Sequence, residues 1–164
     1  MTFYRRNLPH LQRDAKPHFL TFCTYQRWLL PDWARSTVLD SCVKADQWTV
    51  DLWIAVVMPD HVHLIFTPRI DEARHEVYTL ARITKAIKGS SSHRINGTLD
   101  CRVRIWQEES FDRVLRSSEK LEEKIKYILH NPVRKGFVAA PEEYPWFWTA
   151  PCYAHLLQSA PQGR

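Results

Sequence analysis

MPDHVHLIFTP, residues 58–68, sets two imidazoles two residues apart in an otherwise apolar run. Side chains of an extended strand alternate between two sides, so His61, His63, Ile65 and Thr67 share one face while Val62, Leu64 and Phe66 share the other. One face can meet a core and the other can hold chemistry. Two histidines on one strand face lie roughly 6 to 7 Å apart at the backbone, close enough to converge on one cation. Imidazole is the commonest biological metal ligand, but two of them make only half a site.

Working outward, WTVDLWIAVVM (residues 48–58) alternates Val50, Leu52, Ile54 and Val56 toward one side and reads as a strand. Pro59-Asp60 breaks it, and the two strands are expected to pair as a hairpin. HFLTFCTY (residues 18–25), aromatic and β-branched, is an earlier strand. Between them a helix opens at Pro31-Asp32 and runs to about Gln47. Beyond Pro68, residues 72 to about 89 read as a second helix, with Val77, Leu80, Ile83, Thr84 and Ile87 on one stripe and Gly89 as its stop. SSSHRING (residues 90–97) is expected to be a basic flexible loop and CRVRIWQ (residues 101–107) a fourth strand. Ser117 or Ser118 can cap a third helix over residues 119 to about 131, closed by Pro132 and Gly136. The order β-α-β-β-α-β gives an α+β fold with a ferredoxin-like, RRM-like antiparallel sheet and an appended C-terminal helix. Such a plan does not by itself specify a function. We divide the chain into a basic arm (1–16), a central domain (17–136) and an aromatic, proline-rich tail (137–164).

The 164 residues suffice for one domain. Twenty-three Lys and Arg against 18 Asp and Glu give a formal charge of +5, which suits a polyanionic partner. The excess is clustered: Arg5, Arg6 and Arg13 load the N-terminus, and Arg82, Lys85, Lys88, His93 and Arg94 load the middle. Cys23, Cys42, Cys101 and Cys152 form no CxxC pair, which argues against a zinc knuckle or a redox dithiol. No run approaches the roughly 18 apolar residues of a membrane span. The expectation is a soluble, cytoplasmic, nucleoid-associated protein with no membrane partner.

On the third helix, at about 100° per residue, Leu121, Ile125, Ile128 and Leu129 form the apolar stripe, and Tyr127 lies roughly 145° from its centre. Asn131 follows one turn later on the side of Tyr127, together with Lys120 and Lys124. A phenol, a carboxamide and ammonium groups on one face would suit the handling of a phosphate.

MPDHVHLIF, KAIKGSSSHRIN, RIWQEESFDRVLRS, YILHNPVRKGFV and EEYPW, taken in this order, resemble the single-tyrosine HUH transposases, and within them the REP-associated tyrosine transposases. The resemblance extends from about residue 3 to residue 148. It implies a ferredoxin-like fold, a divalent metal (Mg²⁺ or Mn²⁺), and cutting and rejoining of single-stranded DNA at short palindromic hairpins. By this resemblance His61 and His63 are metal ligands and Tyr127 is the nucleophile. Asn131 stands where relatives carry a third, amide ligand, usually the longer glutamine; His130 or a water is the alternative. EEYPW is followed here by Phe147 and Trp148, where relatives have small serines.

The implied reaction is transesterification through a 5′-phosphotyrosine link, with a metal polarising the phosphate and either a water on that metal or Lys124 as base. Arg5 and Arg6 are expected in a hairpin groove, and Arg82, Lys85, Lys88 and Arg94 on its stem. A monomer is favoured over a homodimer. The rival readings are a non-catalytic RRM-like binder of single-stranded nucleic acid, a phosphodiesterase using activated water, and a zinc-stabilised structural domain.

Overall fold

The computed structural model describes residues 16–158. The arm residues Arg5, Arg6 and Arg13 lie outside this range. The fold is α+β, built on a five-stranded antiparallel sheet with helices on both faces. Strand β1 (His18–Cys23) leads through a 3-10 turn at Tyr25–Arg27 into helix α1 (Asp32–Lys44). Strands β2 (Val50–Val57) and β3 (His61–Pro68) form the expected hairpin, and Met58 N donates to His61 O at 2.8 Å across its turn. After a small hairpin, β4 (Ile70–Asp71) and β5 (Glu76–Val77), come helix α2 (Leu80–Leu99) and strand β6 (Phe111–Val114). Helix α3 (Ser118–Leu129), a short helix α4 (Asn131–Arg134), strand β7 (Phe147–Thr149) and a 3-10 segment at Pro151–Leu157 follow. The main sheet runs β6-β1-β3-β2-β7, so the histidine strand is central.

Alternation along β3 divides the core as its sequence requires. Val62, Leu64 and Phe66 enter one apolar cluster with Val38 of α1 and Ile83, Ile87 and Ile95 of α2. Ile65, from the histidine face, enters a second cluster with Ile125 and Ile128 of α3. Burying each such side chain contributes about 1.5–3 kcal/mol, so α3 is held chiefly by its apolar stripe. Ser117 Oγ caps it, accepting from Lys120 N at 3.3 Å.

Four expectations are corrected. Val50, Leu52, Ile54 and Val56 do not share a side: the register shifts between Leu52 and Ile54, so Ile54 and Val56 join the cluster under α3 while Val50 and Leu52 join the other. Helix α2 starts at Leu80, where Thr79 Oγ1 accepts from Arg82 N, because residues 70–77 are spent on the small hairpin. It then runs through Gly89 and the whole SSSHRING stretch. Ile83, Ile87, Ser91 and Ile95 are buried at four-residue spacing, and the Ser91 hydroxyl donates to Ile87 O at 2.8 Å and accepts from Trp106 Nε1 at 3.0 Å. The fourth strand is Phe111–Val114; CRVRIWQ meets the sheet only at an isolated bridge from Trp106 to Thr24.

The segment read as a tail contributes to the same core. Strand β7 pairs with β2 through Ile54↔Thr149, Ala55↔Trp148 and Val56↔Phe147, and the Tyr144 hydroxyl donates to Val57 O at 2.6 Å. No helix of the described residues is long and apolar enough to cross a membrane.

Candidate functional site

The β2–β3 turn and the loop after β1 are laced together: Thr24 N donates to Asp60 O at 2.9 Å and Leu30 N to Pro59 O at 2.7 Å. This brings side chains from both loops to the histidines. His61 Nδ1 donates to Asp60 Oδ1 at 2.6 Å, and the other carboxylate oxygen of Asp60 accepts from Arg27 Nε at 3.1 Å. His63 sits opposite Thr21 on β1, with its Nδ1 2.8 Å from Thr21 Oγ1. The two imidazole centroids are 4.7 Å apart. Each Nδ1 is engaged, which leaves Nε2 of both rings as the nitrogens open to a further ligand. Burial first, then His61, Lys124 and Arg134, pull the His63 pKa down to about 3, so this ring is neutral and its lone pair is available at physiological pH.

Tyr127 reaches this neighbourhood from α3. Its side of the helix is free of the core, and the residue is 56% exposed. Lys124, one turn earlier, places its ammonium 4.8 Å from the Tyr127 ring centre and 4.4 Å from that of Phe19. Phe19 stacks on His63 with centroids 5.6 Å apart. A continuous path of contacts, Tyr127–Lys124–Phe19–His63, therefore joins the phenol to the imidazole pair on one face of the sheet. Arg134 also packs on the tyrosine. Its guanidinium lies 3.8 Å from the ring centre and donates to Tyr127 O at 2.7 Å.

Asn131 is 7% exposed, and its Oδ1 accepts from Arg134 Nη2 at 3.4 Å. It does not continue the exposed face of Tyr127, because α3 ends at Leu129 and α4 starts a new axis. No hydrogen bond joins its carboxamide to either histidine. His130 turns toward the C-terminal segment, where its ring bonds the Leu156 backbone. Among the described residues no group of three or more His, Cys, Asp or Glu could hold a metal. Two imidazole nitrogens with room for oxygen donors from water and phosphate suit Mn²⁺, and Mg²⁺ less readily.

Beside Tyr127 lies an open groove of about 810 Å³ lined by Arg113, Arg116, Lys120 and Lys124, with Glu123 as the single acid. Four cations flanking the phenol make this the electropositive surface nearest the site. Arg113, Arg116 and Arg134 were not among the sequence candidates. The signals for them were RVLRS just before the α3 cap and the arginine that closes NPVR.

The structure brings His61, His63, Tyr127 and Lys124 together but sets Arg82, Lys85, Lys88 and Arg94 on α2, across the sheet. Arg94 donates to Asp40 Oδ2 at 2.7 Å and ties α2 to α1. Lys88 donates to the carbonyls of Gln107, Glu108 and Glu109, and burial lowers its pKa. Arg82 lies against Asp71 and over the Tyr78 ring. Lys85 lines a separate groove of about 660 Å³ with Lys88 and Arg104.

Comparison with known proteins places the chain beside characterised folds and families. The family model described as IS200-like transposase matches residues 12–131. A Haemophilus influenzae protein with the provisional name REP-associated tyrosine transposase is 26% identical over 101 residues, covering 55% of this chain and 53% of the relative. The match thus spans about half of that relative's length. A solved structure of a REP-associated tyrosine transposase bound to a REP hairpin superposes with a TM-score of 0.65 at 20% identity, over 81% of this chain and 76% of the other, and so shares the fold.

Proposed function

The chain belongs to the IS200-like transposase family, and from that membership we propose that it cuts and rejoins single-stranded DNA at REP-like palindromic hairpins, with Tyr127 as nucleophile. The observation that carries this reading is the contact path from the Tyr127 phenol through Lys124 and Phe19 to His63.

The Tyr127 oxygen attacks a backbone phosphorus in line. A phosphorus–tyrosine bond forms, the phosphorus–O3′ bond breaks, the phenolic proton leaves, and the departing 3′-oxygen is protonated to a hydroxyl. Attack by a 3′-hydroxyl reverses the step, so strands are rejoined without an external energy source. Mg²⁺ or Mn²⁺ held by Nε2 of His61 and His63 would supply Lewis-acid polarisation of the phosphate. Arg134 fixes the tyrosine ring by stacking on it while bonding its carbonyl. Lys124 adds positive charge where the phosphate approaches. Arg113, Arg116 and Lys120 are placed to hold the neighbouring phosphates.

The test is incubation with a single-stranded hairpin oligonucleotide and Mn²⁺, followed by a denaturing gel. A covalent protein–DNA adduct is expected from the wild type and none from Tyr127→Phe. An adduct that survived in Tyr127→Phe would overturn the nucleophile assignment. Cleavage without any adduct would favour a hydrolytic phosphodiesterase, and binding without cleavage a non-catalytic nucleic-acid binder.

A further inference from the structure

The loop after β1 pays an unusual conformational cost next to the histidines. Gln26 and Arg27, neither of them glycine, both take left-handed backbone angles, with φ of +50° and +55°. Such residues persist where surrounding contacts over-determine them. Here Thr24 Oγ1 donates to Trp28 O at 2.7 Å and also reaches Asp60 O at 3.1 Å, so the strained turn is tied at its base to the β2–β3 turn. The conformation carries Arg27 back over the strand end. Its Nη1 lies 2.7 Å from Cys23 Sγ and its Nε 3.1 Å from Asp60 Oδ2.

We infer that Arg27 and Asp60 are positioning residues for His61: Arg27 fixes the rotation of the Asp60 carboxylate, and Asp60 Oδ1 holds the proton of His61 on Nδ1 so that Nε2 stays free as a donor. An ionised carboxylate only accepts, so the 2.6 Å contact requires the imidazole nitrogen to donate. A freely rotating carboxylate could offer either oxygen along a range of directions. With Oδ2 bonded to the guanidinium, Oδ1 is left to the imidazole. An ion pair whose cation is more than half exposed adds little to stability, which makes orientation its more consequential effect. His63 is served differently. Its Nδ1 meets the Thr21 hydroxyl, a group that can donate or accept, so its tautomer is less tightly imposed. The two rings thus have unlike supports, and only His61 depends on Asp60.

This inference rests on the metal reading above, but its first measurement does not need a metal. In metal-free full-length protein labelled with ¹⁵N-histidine, at a pH above the imidazole range, His61 is expected in the Nδ1–H tautomer. Asp60→Ala should shift it toward the Nε2–H form that free imidazole side chains favour, while His63 serves as an internal reference and stays unchanged. Mn²⁺ affinity, read by calorimetry, should fall roughly 10–100-fold in Asp60→Ala. Asp60→Asn, whose amide oxygen still accepts, should restore the tautomer and most of the affinity. Arg27→Gln should weaken Mn²⁺ binding by a smaller factor and weaken it no further when added to Asp60→Ala, because it acts through the carboxylate. An unchanged His61 tautomer in Asp60→Ala would overturn the proposal, as would unchanged Mn²⁺ affinity in that variant. Wild-type protein that showed the tautomer pattern but took up no Mn²⁺ would overturn the metal reading of the site while supporting the orientation of His61 by Asp60.

Discussion

Tyr127 is held by its neighbours rather than by burial. More than half of its surface is open, and what limits its ring is the guanidinium of Arg134 and the ammonium of Lys124 beside it. Arg134→Ala removes the stacking plane and the donor to the Tyr127 carbonyl together, so the phenol is free to leave the attacking geometry. Adduct formation in a single-turnover assay is expected to drop roughly a hundredfold, the scale of a misplacement of about 1 Å. Arg134→Lys should recover little, since an ammonium cannot stack or fork as a guanidinium does. Tyr127→Phe, by contrast, changes an exposed hydroxyl and should leave chemical denaturation within about 0.5 kcal/mol of wild type. At this scale the sequence was only partly legible. The HxH alternation gives two site residues directly because a strand has a strict two-residue period, and the helical period sets Tyr127 off the core. Arg134 was hidden because its contact depends on the chain turning after Leu129, and no periodicity carries across a change of helix axis.

Elements respond to glycine in opposite senses along this chain. Gly89 lies in the middle of α2, and a Cβ built there meets nothing within 4 Å. Gly89→Ala should therefore stabilise the protein by about 0.4–1 kcal/mol, measured by urea denaturation, and leave cleavage intact because α2 lies across the sheet from the tyrosine. Gly136 meets nothing either, but its φ of +77° is left-handed, so Gly136→Ala should destabilise by about 1–2 kcal/mol. The same contrast explains the misread end of α2. A glycine before three serines looks like a stop, yet four buried residues at four-residue spacing, from Ile83 to Ile95, outweigh its propensity cost of about 1 kcal/mol. The bulge at Trp53 was similarly out of reach. Its ring settles with Nε1 donating to Thr67 Oγ1 at 2.9 Å, a partner on another strand that local alternation does not reveal.

Across the whole molecule, the sheet separates two kinds of positive charge. Arg113, Arg116, Lys120 and Lys124 stand beside Tyr127, whereas the α2 cations are engaged largely with protein groups. A charged groove that binds a single strand does so by releasing counterions, at about 0.7 in slope of log affinity against log salt per phosphate. Replacing both Arg113 and Arg116 by Ala should weaken hairpin binding and lower that slope by roughly 1.4, read by fluorescence anisotropy over a salt series. The same measurement on Arg82→Ala or Lys85→Ala shows whether a stem also reaches the far face, as the sequence patch suggested.

The helix bearing Tyr127 is anchored at both ends within its own chain. Before it, Leu115 N donates to Pro17 O at 2.8 Å; after it, His130 is tied to Leu156, which is buried under the sheet. On the proposed function, phenol and imidazoles would then both come from one polypeptide. Each copy should behave as a self-sufficient machine. Diluting the protein would then leave turnover per molecule constant, whereas a site assembled from two copies would lose activity as they drift apart.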